Sequence, residues 1–219
     1  MKQLLRIALM DSDPDVRAGR KMVISSREEF SIVLDSGGEA SDVAAVANGL
    51  VDVLVIDQRL ASGPGVDFYD AVRHEMGIAD APWCVITTAF EQPALLFSAL
   101  EIGVNHVVAI ESGPEALLRA IDQVSAGEAG VSLEQLHALI ASQSLGHKLD
   151  LDFIRQVEKL PEKLASNLRR LQSVWKKSDP SQLKKFLLGN LDGLVSRLPV
   201  RTPAELVIKL EQSELLSVE

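Results

Sequence analysis

Five short apolar runs mark the first half of the chain: Leu4–Met10, Phe30–Leu34, Val51–Ile56, Trp83–Thr88 and His106–Ile110. In Val51-Asp52-Val53-Leu54-Val55-Ile56 the apolar positions are nearly continuous and mostly β-branched, the pattern of a strand buried on both faces. Between the runs the spacing changes to that of amphipathic helices, over about 14–26, 39–48, 66–76, 92–102 and 113–126. Asp13-Pro14 opens the first of these, and Ser112-Gly113-Pro114-Glu115 has the form of a capping box. Five strands alternating with five helices in about 126 residues predict an α/β fold, a doubly wound five-stranded parallel sheet.

The pattern changes after Gly127-Glu128-Ala129-Gly130. Ser132-Leu133-Glu134-Gln135 is a second capping box, launching a helix through about Ser144 with Leu133, Leu136, Leu139 and Ile140 on one face. A short polar seam follows, and beyond it only helical spacing remains, over about 151–160, 162–177, 180–197 and 203–215. Pro161, Asp179-Pro180 and Thr202-Pro203-Ala204-Glu205 punctuate these segments. The expected organisation is an α/β domain at 1–126, a linker and connecting helix at 127–146, and an all-α domain at 147–219.

Charge supports that division. The 219 residues carry a net −9, but the two parts differ in sign. Residues 1–146 hold 9 Lys and Arg against 21 Asp and Glu, and residues 147–219 hold 13 against 10. An acidic front and a basic rear point to different partners. A hydrophobic content of 47% describes an ordinary globular protein. No apolar run approaches a membrane span. The single cysteine, Cys84, sits in an apolar run, fits a reducing cytoplasm and excludes an internal disulfide framework. No P-loop, dinucleotide fingerprint, Cys-x-x-Cys or zinc-protease motif occurs, so an independent enzyme is not expected.

Chemistry collects at the strand ends. Asp11 ends the first run and Asp57 the third, so a parallel sheet brings both carboxylates to its carboxyl edge, where ligands bind in such folds. Two carboxylates can share Mg²⁺, and an aspartate so placed can accept a phosphoryl group. Thr88 ends the fourth run and Ile110 the fifth, at the same edge. The alternative is that Asp57 only caps the glycine-rich loop Gln58-Arg59-Leu60-Ala61-Ser62-Gly63-Pro64-Gly65.

The stretches Ile7-Ala8-Leu9-Met10-Asp11-Ser12-Asp13-Pro14, Val53-Leu54-Val55-Ile56-Asp57-Gln58-Arg59-Leu60, Val85-Ile86-Thr87-Thr88-Ala89 and Ala99-Leu100-Glu101-Ile102-Gly103-Val104 together resemble the receiver domain of bacterial response regulators. That resemblance implies a flavodoxin-like fold and Asp57 as phosphoacceptor. It also implies Thr88 as switch hydroxyl and Mg²⁺ held by Asp11, Asp57 and the backbone carbonyl of Arg59. A sensor histidine kinase would be the phosphoryl source. Two positions depart from the family. Ser12 stands where a second acid is usual, and Ile110 where a lysine is usual; the aromatic partner of the switch falls at Val107. These departures make the receiver atypical, with Mg²⁺ binding weakened by Ser12.

The rear of the chain is similar to NarL/LuxR-type regulators. Gly127-Glu128-Ala129-Gly130-Val131-Ser132 resembles their linker, and Val195-Ser196-Arg197-Leu198-Pro199-Val200-Arg201-Thr202-Pro203-Ala204-Glu205-Leu206-Val207 the close of their helix-turn-helix domain. The resemblance implies a recognition helix at about 184–197, a degenerate one, since Leu188, Gly189 and Gly193 fall within it. Leu160, Leu164, Leu168, Leu171 and Trp175 form one apolar stripe. Lys163, Arg169, Arg170, Lys176 and Lys177 lie opposite, with Lys184 and Lys185 beyond. Lys176, Lys177, Lys184 and Lys185 are the candidate phosphate contacts. The reading is a DNA-binding transcriptional regulator, a homodimer, whose receiver state controls dimerisation or output. The alternative is a signalling adaptor that acts through protein contacts of its helical domain and never touches DNA.

Overall fold

The computed structural model describes residues 4–89, 92–128, 130–142, 150–186 and 191–216. The chain divides into two compact units, residues 1–130 and 131–219.

In the first unit the parallel sheet is built from β1 (Leu5–Met10), β2 (Phe30–Ser36), β3 (Val53–Asp57), β6 (Trp83–Thr88) and β7 (His106–Ala109), in the order β2-β1-β3-β6-β7. Helices α1 (Pro14–Ser25), α2 (Asp42–Asn48), α3 (Gly65–Met76) and α4 (Pro93–Glu101) connect them, and α5 (Pro114–Ser125) follows the last strand. Side chains alternate across the central strands and so feed two cores. Ile7, Leu9, Val53, Val55 and Val85 face Ile24 of α1 and Leu117, Leu118, Ile121 and Val124 of α5. Ala8, Met10, Leu54, Ile56, Cys84 and Ile86 face Val46, Phe68, Tyr69, Val72 and Ala99 of α2, α3 and α4. This two-sided burial is why those strands read as unbroken apolar runs.

The predicted start and stop signals met different fates. Asp13 caps α1, its carboxylate accepting from the Asp15 and Val16 N–H groups. The box expected at Ser112 does not form. Ile110–Ser112 is a short 3-10 turn, and α5 is entered from Gly113 at φ 79 without a side-chain cap. Ile110 therefore lies just past the strand and is exposed. Two short strands, β4 (Arg59–Leu60) and β5 (Gly63–Pro64), form an antiparallel ribbon in the loop after Asp57. Glycine is required at the end of that ribbon, because a Cβ on Gly65 would stand 2.3 Å from the Asp57 carbonyl oxygen.

The second unit is all helical: α6 (Leu133–Ala141), α7 (Leu151–Glu158), α8 (Glu162–Lys177), α9 (Pro180–Lys185), α10 (Asp192–Val195) and α11 (Pro203–Gln212). The Ser132–Gln135 capping box forms as expected. α6 packs with α9 and α11, within the second unit. The expected extension to Ser144, Gly146 and the residues up to 149 lie outside the described residues. From the predicted stripe, Leu168, Leu171 and Trp175 are buried. His137 meets the Trp175 ring edge-on at 4.7 Å. α11 is enclosed almost throughout, with Leu206, Val207, Ile208 and Leu210 fully buried.

The continuous helix expected over 180–197 is not what forms. α9 ends at Lys185, where Phe186 takes an extended backbone (φ −76, ψ 112) and buries its ring. Among the described residues beyond it, the next α-helix is Asp192–Val195. The recognition helix expected at about 184–197 is therefore interrupted at its start; Leu188 and Gly189 lie outside the described residues. The physical reason is that Phe186 and Leu191 are both drawn into the core, and apolar burial outweighs the local helical period. Gly193 then sits against α8, where a Cβ would stand 2.9 Å from a Leu164 methyl.

Candidate functional site

Met10 pairs with Ile56 in the sheet register, so Asp11 and Asp57 leave neighbouring strands side by side at the carboxyl edge. Both expected carboxylates are brought together, and between them lies Arg20, midway along α1. Its Nη1 donates to Asp11 Oδ2, and its Nη2 donates to Asp57 Oδ2 at 2.9 Å. The three side chains are 9%, 3% and 13% exposed for Arg20, Asp11 and Asp57, so this is a buried, charge-assisted bridge.

The remaining carboxylate oxygens are also engaged. The Asp13 N–H donates to Asp11 Oδ1 at 2.9 Å, and the Arg59 N–H donates to Asp57 Oδ1 at 2.9 Å. The second of these bonds is the local loop cap that the sequence offered as the alternative role of Asp57. The Thr87 hydroxyl donates to Asp57 Oδ2 at 3.3 Å. Thr87, not Thr88, stands on the rung opposite Asp57. Thr88 is buried one residue further on, at the end of β6.

Burial pushes the Asp11 carboxyl above its ordinary value. The Asp13 N–H and the Arg20 charge pull it down, and the charges of Asp57 and Asp13 push it up again. Two carboxylates this close repel, and the guanidinium is what allows them to share the pocket. Arg20 is well suited to this because its guanidinium offers two prongs in a fixed plane.

The expected Mg²⁺ donors are Asp11, Asp57 and the Arg59 carbonyl. All three stand at the sheet edge, yet each is already committed. The carboxylates hold Arg20, and the Arg59 carbonyl accepts from Ser12 Oγ at 3.0 Å. Ser12, in the place of the second acid, therefore ties the loop. Asp13, one place further on, is spent on capping α1. Mg²⁺ demands about six oxygens in near-octahedral array, and the residues as arranged do not fit it. Among the described residues no group of three or more His, Cys, Asp or Glu is placed to hold a metal ion.

Sequence reasoning missed Arg20 and Thr87. Arg20 had a signal: it precedes Ile24 by four residues, on the stripe α1 turns toward the sheet. A cation on an inward face requires an anionic partner, and Asp11 and Asp57 are the acids that the topology supplies.

In the second unit Lys163, Arg169, Arg170, Lys176, Lys177 and Lys185 are exposed. Arg169 pairs with Glu162, and the Arg170 guanidinium lies 5.8 Å from the centre of the Phe186 ring. The side chain of Lys184 lies outside the described residues.

No protein-family model matches the chain. Over 128 residues it is 26% identical to the uncharacterized transcriptional regulatory protein YxjL of Bacillus subtilis, a match covering 58% of this chain and 57% of that one. A two-component response regulator of the LuxR family from Aurantimonas sp. is 26% identical, with a TM-score of 0.54 over 59% of this chain and 90% of its own. The RcsB response regulator of Salmonella typhimurium matches 100% of this chain and 94% of its own at a TM-score of 0.53; at 16% identity this is a likeness of fold alone.

The sheet order and the paired strand-end acids, with these likenesses, give the first unit the fold of a receiver domain. Among the structure neighbours of the chain are response regulators, one of the LuxR family and one named NarL. The chain spans 57% of the length of the Bacillus relative. Among the described residues no helix is long and apolar enough to cross a membrane.

Proposed function

We propose that the chain is an atypical response regulator that controls transcription, its receiver governing dimerisation or DNA contact by the helical unit. The domain roles follow the sequence division: receiver at 1–126, linker and connecting helix at 127–146, output at 147–219. One observation carries the reading: a receiver-type acid pair at a sheet edge is joined in one chain to a helical unit whose α8 exposes Lys163, Arg170, Lys176 and Lys177. The Bacillus relative is named a transcriptional regulatory protein, and the Salmonella regulator is described as interacting with DNA. The first of these names supports carrying a transcriptional role to this chain.

In this reading the chain works in the cytoplasm as a homodimer, has DNA and a sensor histidine kinase as partners, and is not an independent enzyme. Asp57 is the phosphoacceptor candidate and Thr88 the switch hydroxyl. Any phosphoryl group reaching Asp57 meets Arg20, which already donates to Asp57 Oδ2, while Ile110 stands in the lysine's place. A phosphoryl group adds roughly −1.5 to −2 charge, enough to draw the guanidinium from Asp11 and reset α1 against the sheet. That shift is the proposed link between receiver state and output.

Fluorescence anisotropy of the full-length protein with pooled promoter fragments, across a salt series, tests the proposal. Binding should weaken with a log–log slope of about −0.9 per phosphate contact. One observation favours the adaptor alternative, namely the interruption of the expected recognition helix at Phe186. Absence of DNA binding at low salt, with and without a phosphodonor, would favour that adaptor.

A further inference from the structure

We infer that Arg20 is a built-in replacement for the divalent cation of the receiver pocket, so that the Asp11–Asp57 pair is complete without metal and excludes it. The inference rests on the receiver reading of the first unit. It is separate from the DNA-binding proposal, since it concerns only the pocket.

Four observations converge on it. Arg20 bridges both carboxylates at once, through separate nitrogens. The bridge is buried, with side-chain exposures of 9%, 3% and 13%, so water does not screen it and an incoming ion has little open path. All four oxygens of the acid pair accept hydrogen bonds from protein groups. The only non-carboxylate ligand expected, the Arg59 carbonyl, is held by Ser12.

The replacements form a consistent set. A pocket with three acids and a divalent ion has become one with two acids and a guanidinium. Removing the third acid lowers the negative charge by one, and replacing Mg²⁺ with Arg20 lowers the positive charge by one. Counting only the acids and the cation between them, the local balance is kept while the ion is dispensed with; Ile110 in the place of the lysine leaves the edge one charge more negative. Arg17 braces the arrangement from the previous turn, donating to the Asp11 carbonyl at 2.5 Å and to Asp35 at 2.9 Å. A tethered guanidinium also competes with free Mg²⁺ at the advantage of an intramolecular partner.

The pocket is tested with Mn²⁺, followed by water-proton relaxation, on the full-length wild type and on Arg20→Met, with Mg²⁺ as competitor. Wild type should not bind Mn²⁺ up to millimolar concentration. Arg20→Met should bind at least about tenfold more tightly, Mg²⁺ should displace the Mn²⁺, and adding Asp11→Asn should abolish the gain. Equal binding by wild type and Arg20→Met would overturn the inference, and so would absence of binding by both. A second measurement needs no variant. The Arg20 Nε–H resonance of wild type should stay unshifted and slow to exchange when millimolar MgCl₂ is added, whereas its shift or broadening would overturn the assignment. DNA affinity is read in neither experiment, so failure here is distinguishable from failure of the output proposal.

Discussion

The two units use their cations in opposite ways. In the first, Arg20 is buried against two carboxylates at a sheet edge. In the second, Lys176 and Lys177 extend into solvent from the last turn of α8. A buried charge must find a specific partner because desolvation is expensive, and so it selects one arrangement. An exposed charge is nearly free of such demands and serves any polyanion that approaches. The contrast separates a residue fixed within the fold from residues left open to solvent.

Substituting the buried cation should give the largest effect. Arg20→Ala leaves two buried carboxylates uncompensated and should destabilise the first unit by about 3–5 kcal/mol in metal-free buffer, read by urea unfolding of the full chain. Charge reversal of the exposed pair, Lys176→Glu with Lys177→Glu, should shift stability by no more than about 0.5 kcal/mol per site. Similar losses from both would erase the distinction. Next is Gly65→Ala, which sets a methyl against the Asp57 carbonyl and should destabilise by about 1–3 kcal/mol. A neutral result would mean that α3 is free to withdraw from the site.

Asp57→Asn should be milder, about 1–2 kcal/mol, because Arg20 keeps Asp11 and the loop cap survives through the amide oxygen. The fold should persist by circular dichroism. Loss of transcriptional output in this folded variant would make the charge of Asp57 functional, and unchanged output would leave it a loop cap.

The smaller effects concern titration and exposed charge. The hydrogen bond from Arg6 holds the Asp52 carboxyl below its ordinary value, and Lys21 with Arg17 does the same for Asp35. Both contributions are present above the unfolded value near 3.8 and are lost as pH falls through the lower folded values. Asp11 has the opposite sign: its raised folded value favours the protonated form, so its contribution declines as pH rises just above 3.8. Arg6→Gln should therefore make stability fall less steeply at the acid end, and an unchanged acid limb would mean the pair is not held in solution. Finally, if Lys176 and Lys177 each meet a phosphate, their charge reversal should reduce the salt slope of DNA binding by about 0.9 per contact. An unchanged slope would move the nucleic-acid face elsewhere or remove it.

Much of this protein was legible along the chain. Period-two and period-3.6 patterns are local, so the five strands, the helices between them and the helical second unit could be read from residues that are neighbours in sequence. Strand ends are local as well, and they placed Asp11 and Asp57 at one edge. What the sequence could not determine depended on residues meeting across distance. Ser112 carries a capping signature, but the turn at Ile110–Ser112 left the entry to α5 to Gly113. The helical period through 180–197 yielded to the burial of Phe186 and Leu191. Arg20 lies nine residues from Asp11 and 37 from Asp57, and only packing α1 on the sheet sets its guanidinium between them. Secondary structure follows from short-range patterns that repeat along the chain, whereas the counter-ion of a buried acid pair is chosen by whichever charge the tertiary fold brings within reach.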